Sequence, residues 1–246
     1  MSESLFVIAG WAFATGLFSA FATGLGVIPV SLIGEDATKA KAWASGLAAG
    51  MMVWASLATV ITEGLALSAA SCLAGVLAGA AFLVGVSRLF PPDDQRKGGF
   101  LLWLVMLVHS FPEGLAIGVG FATGDLGFGL LLALVISVHN IPEGVAISLA
   151  LRSDGASLRK CFWFSVTSSL PQPIVAVPAA VFVSWAQELI PSGLGFAGGA
   201  MLLVAARELI PKTALELGRL KCVVSLLAGA AVMAFLTYLL NQVSFS

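Results

Sequence analysis

Apolar residues run along this chain in long stretches, with polar positions gathered between them. No charged residue occurs in 5–34, 42–62, 64–87, 161–187, 189–206 or 222–246. A helix crosses a bilayer with roughly 20 mostly apolar residues. The pattern therefore predicts eight spans, at about 5–30, 41–66, 70–90, 99–122, 127–151, 159–185, 191–213 and 221–243. Breakers fall where connections are needed: Gly34-Glu-Asp, Pro91-Pro-Asp-Asp, Gly124-Asp, Ser153-Asp-Gly and Pro191-Ser-Gly. No linker divides the chain, so residues 1–246 read as one domain. The fold class is all-α, a polytopic membrane protein.

Composition agrees with the pattern. Of the 246 residues, 59% are hydrophobic and 10% charged, against about 25% charged in a soluble domain. The net charge of -1 carries no message about nucleic acid or acidic partners. Cys72, Cys161 and Cys222 lie far apart with no CxxC spacing and read as reduced structural thiols. The first apolar run lacks a basic leader and is too long for a signal peptide core, so it reads as a retained helix. Six tryptophans, 11, 43, 54, 103, 163 and 185, fall mostly near span ends, as in an aromatic belt.

Charge sets orientation. Of the 12 Lys and Arg, 11 fall in the alternate connections, after spans 1, 3, 5 and 7. The opposite connections carry acids, Glu3, Asp125 and Glu188. The positive-inside rule then places both termini outside. A weak internal repeat is also visible. Gly46-Leu-Ala-Ala-Gly50-Met-Met52 in span 2 matches Gly195-Phe-Ala-Gly-Gly199-Ala-Met201 in span 7. The two spans run in opposite directions, so the match is either an inverted repeat (spans 1–3 against 6–8, around 4 and 5) or small residues serving helix packing.

The candidate chemistry lies in spans 4 and 5. His109-Ser-Phe-Pro-Glu113-Gly and His139-Asn-Ile-Pro-Glu143-Gly repeat one unit 30 residues apart and contain both histidines of the chain. Positions i and i+4 share a helix face, so each His stacks over its Glu. Imidazole and carboxylate are expensive to bury in a bilayer unless paired or bound to an ion. Each histidine is about ten to twelve residues into its span, or ~15–18 Å, near the bilayer midplane. Pro112 and Pro142 free the carbonyls of Val108 and Val138 and favour a bend. Imidazole with carboxylate suits Zn²⁺, and also Fe²⁺, Mn²⁺ or Cd²⁺. The alternative reading is a pair of interior histidines that only fix packing.

These features resemble the ZIP (Zrt/Irt-like) divalent-metal transporters, of the prokaryotic GufA-like type. The resemblance rests on eight spans, outside termini, the paired HxxPEG units and the Gly-rich span 7 ending in Glu208-Leu-Ile-Pro211. It implies metal movement toward the cytoplasm, with His109, Glu113, His139 and Glu143 as the primary site. It implies a second site at the residue after each histidine and in span 6, here Ser110, Asn140 and Gln172. None of these three is charged, which predicts a degenerate second site and one ion. Glu208 matches a position that lines the exit, with Arg207 beside it as a candidate counter-ion. Glu63, near the outer end of span 2, either attracts cations at the mouth or snorkels to water. An elevator-like slide of spans 1, 4, 5 and 6 against 2, 3, 7 and 8 is implied as well. No prosthetic group is expected; the partners are the ion and the lipid bilayer of the cell (plasma or inner) membrane, not nucleic acid, and a homodimer is compatible. The rival is an intramembrane metal-dependent hydrolase with Glu113 or Glu143 as general base, although HExxH is absent.

Overall fold

A backbone inside a bilayer must satisfy its own hydrogen bonds, and the apolar runs leave helix as the available solution. The computed structural model describes residues 2–32, 37–89 and 98–242, and among these every long segment is helical and no strand occurs. The first span is α1 (Ser2–Leu25) and α2 (Val27–Leu32), broken at Gly26. The second is α3 (Ala37–Trp54), a π-helical segment Ala55–Ile61, and α4 (Thr62–Leu67). Next come α5 (Ala69–Leu89), α6 (Gly98–Ala122) and α7 (Leu126–Ser153). The sixth stretch is α8 (Leu158–Ser168) and α9 (Pro171–Trp185). The seventh is α10 (Ile190–Val204), a π-helical segment Ala205–Leu209, and α11 (Ile210–Leu217). The last is α12 (Arg219–Gln242).

Seven of these stretches are long and apolar enough to cross a membrane; α6 contributes the shorter apolar helix Met106–Ala122. The chain is thus a polytopic all-α membrane protein. The connections at Gly34-Glu-Asp and Pro91-Pro-Asp-Asp, with Arg96 and Lys97, lie outside the described residues. Gly124, Gly155 and Gly218 each take φ of +82° at a turn, where a side chain would be strained. Asp125 caps α7 by accepting from the Phe128 amide, and Ser157 caps α8 by accepting from that of Lys160. The turn expected at Pro191 falls earlier, at Ala186–Leu189. Pro191 sits in the first turn of α10, where its missing N–H has no helical partner to lose. Pro112 and Pro142 each lie inside a continuous helix. Two tryptophans depart from the belt: Trp103 donates to Thr167 Oγ1 at 3.0 Å, and the Trp54 Nε1 is buried.

Glycines weld the helices into two bodies. In the first, Gly144 lies against the Thr23 carbonyl, Gly114 and Gly16 against the Gln172 and Pro173 backbone, and Gly118 against Ala176. These approaches join α1, α6, α7 and α9. In the second, Gly79 abuts Phe196, Gly199 abuts Val76, Gly50 abuts Leu226 and Gly229 abuts Leu47. These join α5 to α10 and α3 to α12. Among the glycines whose surroundings are described, every approach to a backbone stays within one body, and Gly193 reaches across only to the Val119 side chain. Apolar side chains share clusters across the boundary, such as Ala44 with Val145 and Leu149, and Met51 and Ala55 with Val135, and the His109–Glu208 pair also crosses it.

The contacts of the second body obey the repeat. Gly199 on Val76 corresponds to Gly50 on Leu226, and Gly79 on Phe196 to Gly229 on Leu47, each pair of positions 149 or 150 residues apart. Cys72 donates through Sγ to the Ile61 carbonyl and Cys222 to that of Ile210, at 3.7 Å in both. The small-residue match between spans 2 and 7 therefore reflects duplicated packing. In the first body, Gly144 on Thr23 corresponds likewise to Gly114 on Gln172.

A methyl at Gly79 would collide with the Phe196 backbone, whereas one at Gly85 on the same helix meets nothing within 4 Å. Gly79→Ala should destabilise the purified protein by about 1–3 kcal/mol, with a clear fall in melting temperature in detergent. Gly85→Ala should leave it unchanged. Equal melting temperatures would contradict the welded-body description.

Candidate metal centre

α6 and α7 pack antiparallel, with Gly120 against Leu132 and Gly129 against Phe121 near their shared turn. Farther along, this arrangement sets the second ligand position of α6 beside the first of α7. His139 Nε2 donates to Glu113 Oε1 at 3.1 Å and lies 4.0 Å from Glu143 Oε1. Glu113, His139 and Glu143 are all buried, and their ligand atoms lie within 4.8 Å of one another. Glu143 Oε1 and His139 Nδ1 have no hydrogen-bond partner among the described residues. Two carboxylates and an imidazole at this separation are donors of the kind a divalent cation takes.

His109 is placed apart from these three. It lies one turn back along α6 from Glu113, and its Nε2 is 3.5 Å from Glu208 Oε1. Glu208 comes from the π-helical segment of span 7, on the other body. The structure thus divides the four expected ligands: three gather, and His109 pairs with Glu208. The stacking expected of each His on its own Glu holds for His139 with Glu143, while Glu113 instead meets His139. Antiparallel crossing is the cause, because it brings Glu113 level with His139 rather than with its own i−4 neighbour.

The expected second site is also divided. Ser110 Oγ donates to the Met106 carbonyl at 3.1 Å, within its own helix. Asn140 and Gln172 do join the centre, in an amide chain. Gln172 Nε2 donates to Glu113 Oε2 at 2.5 Å, and Asn140 Nδ2 donates to Gln172 Oε1 at 3.3 Å. The same Nδ2 reaches Ser19 Oγ at 3.0 Å and the Ser19 carbonyl at 3.2 Å. Beside it, Thr23 Oγ1 and Ser169 Oγ are 2.7 Å apart, at the level of the breaks in spans 1 and 6. Sequence reading passed over Ser19, Thr23 and Ser169. The available signal was the i, i+4 pair Ser19 and Thr23, in register with Thr15 in a largely apolar helix. Glu63 is half-buried in the first turn of α4 and is not part of the ligand group. Arg207 is exposed, next to Glu208 in sequence.

Comparison with known proteins bears on what such a centre is for. The family model for ZIP Zinc transporter matches residues 89–237. The chain belongs to the ZIP family. The zinc transporter GufA of Myxococcus xanthus is 34% identical over 225 residues, covering 83% of this chain and 89% of that protein. The zinc transporter ZIPB of Bordetella bronchiseptica is 32% identical over 250 residues, covering 92% and 80%. The zinc transporter ZupT of Corynebacterium aurimucosum is 30% identical over 254 residues, covering 91% and 95%.

The geometry separates the two histidines of this ZIP protein. His139→Ala removes the imidazole shared by both carboxylates, and should weaken equilibrium Zn²⁺ binding by more than the ~10–100-fold typical of outer-shell changes. His109→Ala leaves the three gathered residues intact and should retain measurable binding. Isothermal titration of both variants checks this, and equal loss would put His109 in the same ligand set.

Proposed function

We propose that this ZIP-family protein carries Zn²⁺ across the membrane toward the cytoplasm, one ion at a time. The observation that supports it is the buried Glu113–His139–Glu143 group inside apolar helices. A hydrated ion exchanges its water for these ligands. The two carboxylates balance the charge of one divalent ion, and neutral His139 completes the set without adding charge. His109, one turn farther along, then takes the ion with Glu208, and the pair opens toward the side bearing the basic connections. Glu63 stands near the other mouth. Fe²⁺, Mn²⁺ and Cd²⁺ suit the same donors and are the competing substrates to test.

In this reading all eight spans form a single domain with both termini outside, in the cell membrane. The pairing of Lys41 with Glu216 at 3.7 Å supports a shared inner face for the start of span 2 and the end of span 7. The two glycine-welded bodies supply the parts for a slide: α1, α6, α7, α8 and α9 carry the ligands against α3, α5, α10 and α12. Backbone-to-backbone contact within each body resists deformation, and the apolar boundary presents few directional bonds to break. The hydrolase alternative gains no support, since the matched relatives are transporters.

The amide chain argues for one ion. A second ion beside Glu113 would add two charges where Asn140 and Gln172 offer none. Proteoliposomes should accumulate Zn²⁺, and the purified protein should bind one per chain. Gln172→Glu should raise that number toward two. Liposomes that stay empty would remove the transport reading, and two tightly bound ions in the unaltered protein would remove the single-ion reading.

A further inference from the structure

The repeat that duplicates packing also duplicates a position beside the metal centre. With an offset of 149, residues 49–64 and 198–213 show the same succession of buried, half-buried and exposed positions, departing only at 59, 61 and 63. Both stretches contain a π-helical segment, Ala55–Ile61 and Ala205–Leu209. π segments are uncommon and concentrate at functional sites, because the inserted residue re-aims the side chains around it. In this register Glu208 corresponds to Thr59, just as His109 corresponds to His139.

Glu208 uses its segment to reach His109 from the second body, at 3.5 Å. By the repeat, Thr59 is the counterpart of Glu208 on the opposite side of the centre. Ala55, one turn before it, shares a buried cluster with Val135, and the adjoining Val60 belongs to the core cluster containing Ile136. Val135 and Ile136 lie one turn from His139 toward the start of α7. Thr59 itself is 6% exposed, and its Oγ1 has no hydrogen-bond partner among the described residues. A threonine in a helix commonly satisfies its hydroxyl on a preceding carbonyl, as Ser56 does here on Met52 at 2.7 Å. Thr59 does not. The Glu208 side chain, by contrast, is 27% exposed, so the inner counterpart is the more open of the two.

We infer that Thr59 is a substrate-pathway residue: its hydroxyl is the outer-side ligand that receives the divalent cation before the Glu113–His139–Glu143 group, as Glu208 receives it afterwards. The inference rests on the transport reading above. Both residues belong to the second body, so a slide of the first body carries the ion from the neutral hydroxyl to the carboxylate. Oγ1 replaces one water of the hydrated ion and adds no charge. A neutral ligand on the entry side and an anionic one on the exit side give the pathway an inward bias in affinity.

The test uses the full-length protein. Thr59→Val keeps the shape and removes only the hydroxyl; loss of a buried, unpaired hydroxyl is neutral or stabilising for the fold. It should raise the KM for Zn²⁺ uptake about five-fold, the effect of one contact of hydrogen-bond strength, with little change in maximal rate. Thr59→Ser should behave as wild type. In intact cells, Thr59→Cys should react with a membrane-impermeant methanethiosulfonate above the background of the three native cysteines, and Zn²⁺ should slow that reaction. An unchanged KM in folded Thr59→Val overturns the inference. So does a transport-competent Thr59→Cys that never reacts, or one whose reaction Zn²⁺ does not slow. His139→Ala tests the transport reading separately: if it abolishes uptake while the Thr59 variants remain normal, only the role of Thr59 falls.

Discussion

Two carboxylates and one imidazole, with ligand atoms within 4.8 Å of one another and sealed from water, set the terms for the rest of this molecule. Like charges at that distance in a low dielectric repel strongly, and each has lost the hydration it would have in bulk. The surroundings answer this demand. Gln172 and His139 each donate to one oxygen of Glu113, and Asn140, which also donates to Ser19, donates to Gln172 and holds it in that orientation. What these neutral donors leave unmet is net charge, which a divalent cation supplies.

A centre of this kind has to be held rigidly and still change the face it presents. Rigidity comes from glycine: Gly144 on Thr23 and Gly114 on Gln172 bring the elements bearing Ser19 and Gln172 against the two ligand helices. A methyl at either position would meet backbone atoms, so the close approach depends on glycine itself. Freedom is left at the boundary, where Ala44, Ala55 and Met51 meet α7 through apolar side chains. Such contacts are non-directional and can re-form after a shift. The ligand trio belongs to one body, while Glu208 and Thr59 belong to the other. A relative shift of the bodies would therefore change what lies beside the trio.

The repeat persists where it packs and in the paired HxxPEG units, and has diverged at positions beside them. The Cys72 and Cys222 bonds and the reciprocal glycine contacts are retained as pairs. Glu208 and Thr59 are not, nor are Ser110 and Asn140. Packing tolerates little change in volume at a glycine–carbonyl contact, whereas a side chain facing the ion can change its charge without disturbing the helix that bears it.

Much of this was legible in residues alone. The apolar runs determined helices, because a bilayer leaves the backbone no other way to satisfy its groups. The paired HxxPEG units marked the candidate metal-binding residues, because His and Glu in such runs require a partner. The neutral residues at 110, 140 and 172 could likewise be read as a weakened second site. The chain order could not reveal which ligand meets which. Helical periodicity aligns His109 with Glu113, but the antiparallel crossing of α6 and α7 sets Glu113 beside His139, and the π segment of span 7 draws His109 to Glu208. The breaks near Gly26 and Ser169, the π segments and the donor role of Gln172 were equally hidden. Each arises from contact between residues more than 25 positions apart or from backbone geometry that no local pattern encodes, and such contacts exist only once the helices are packed.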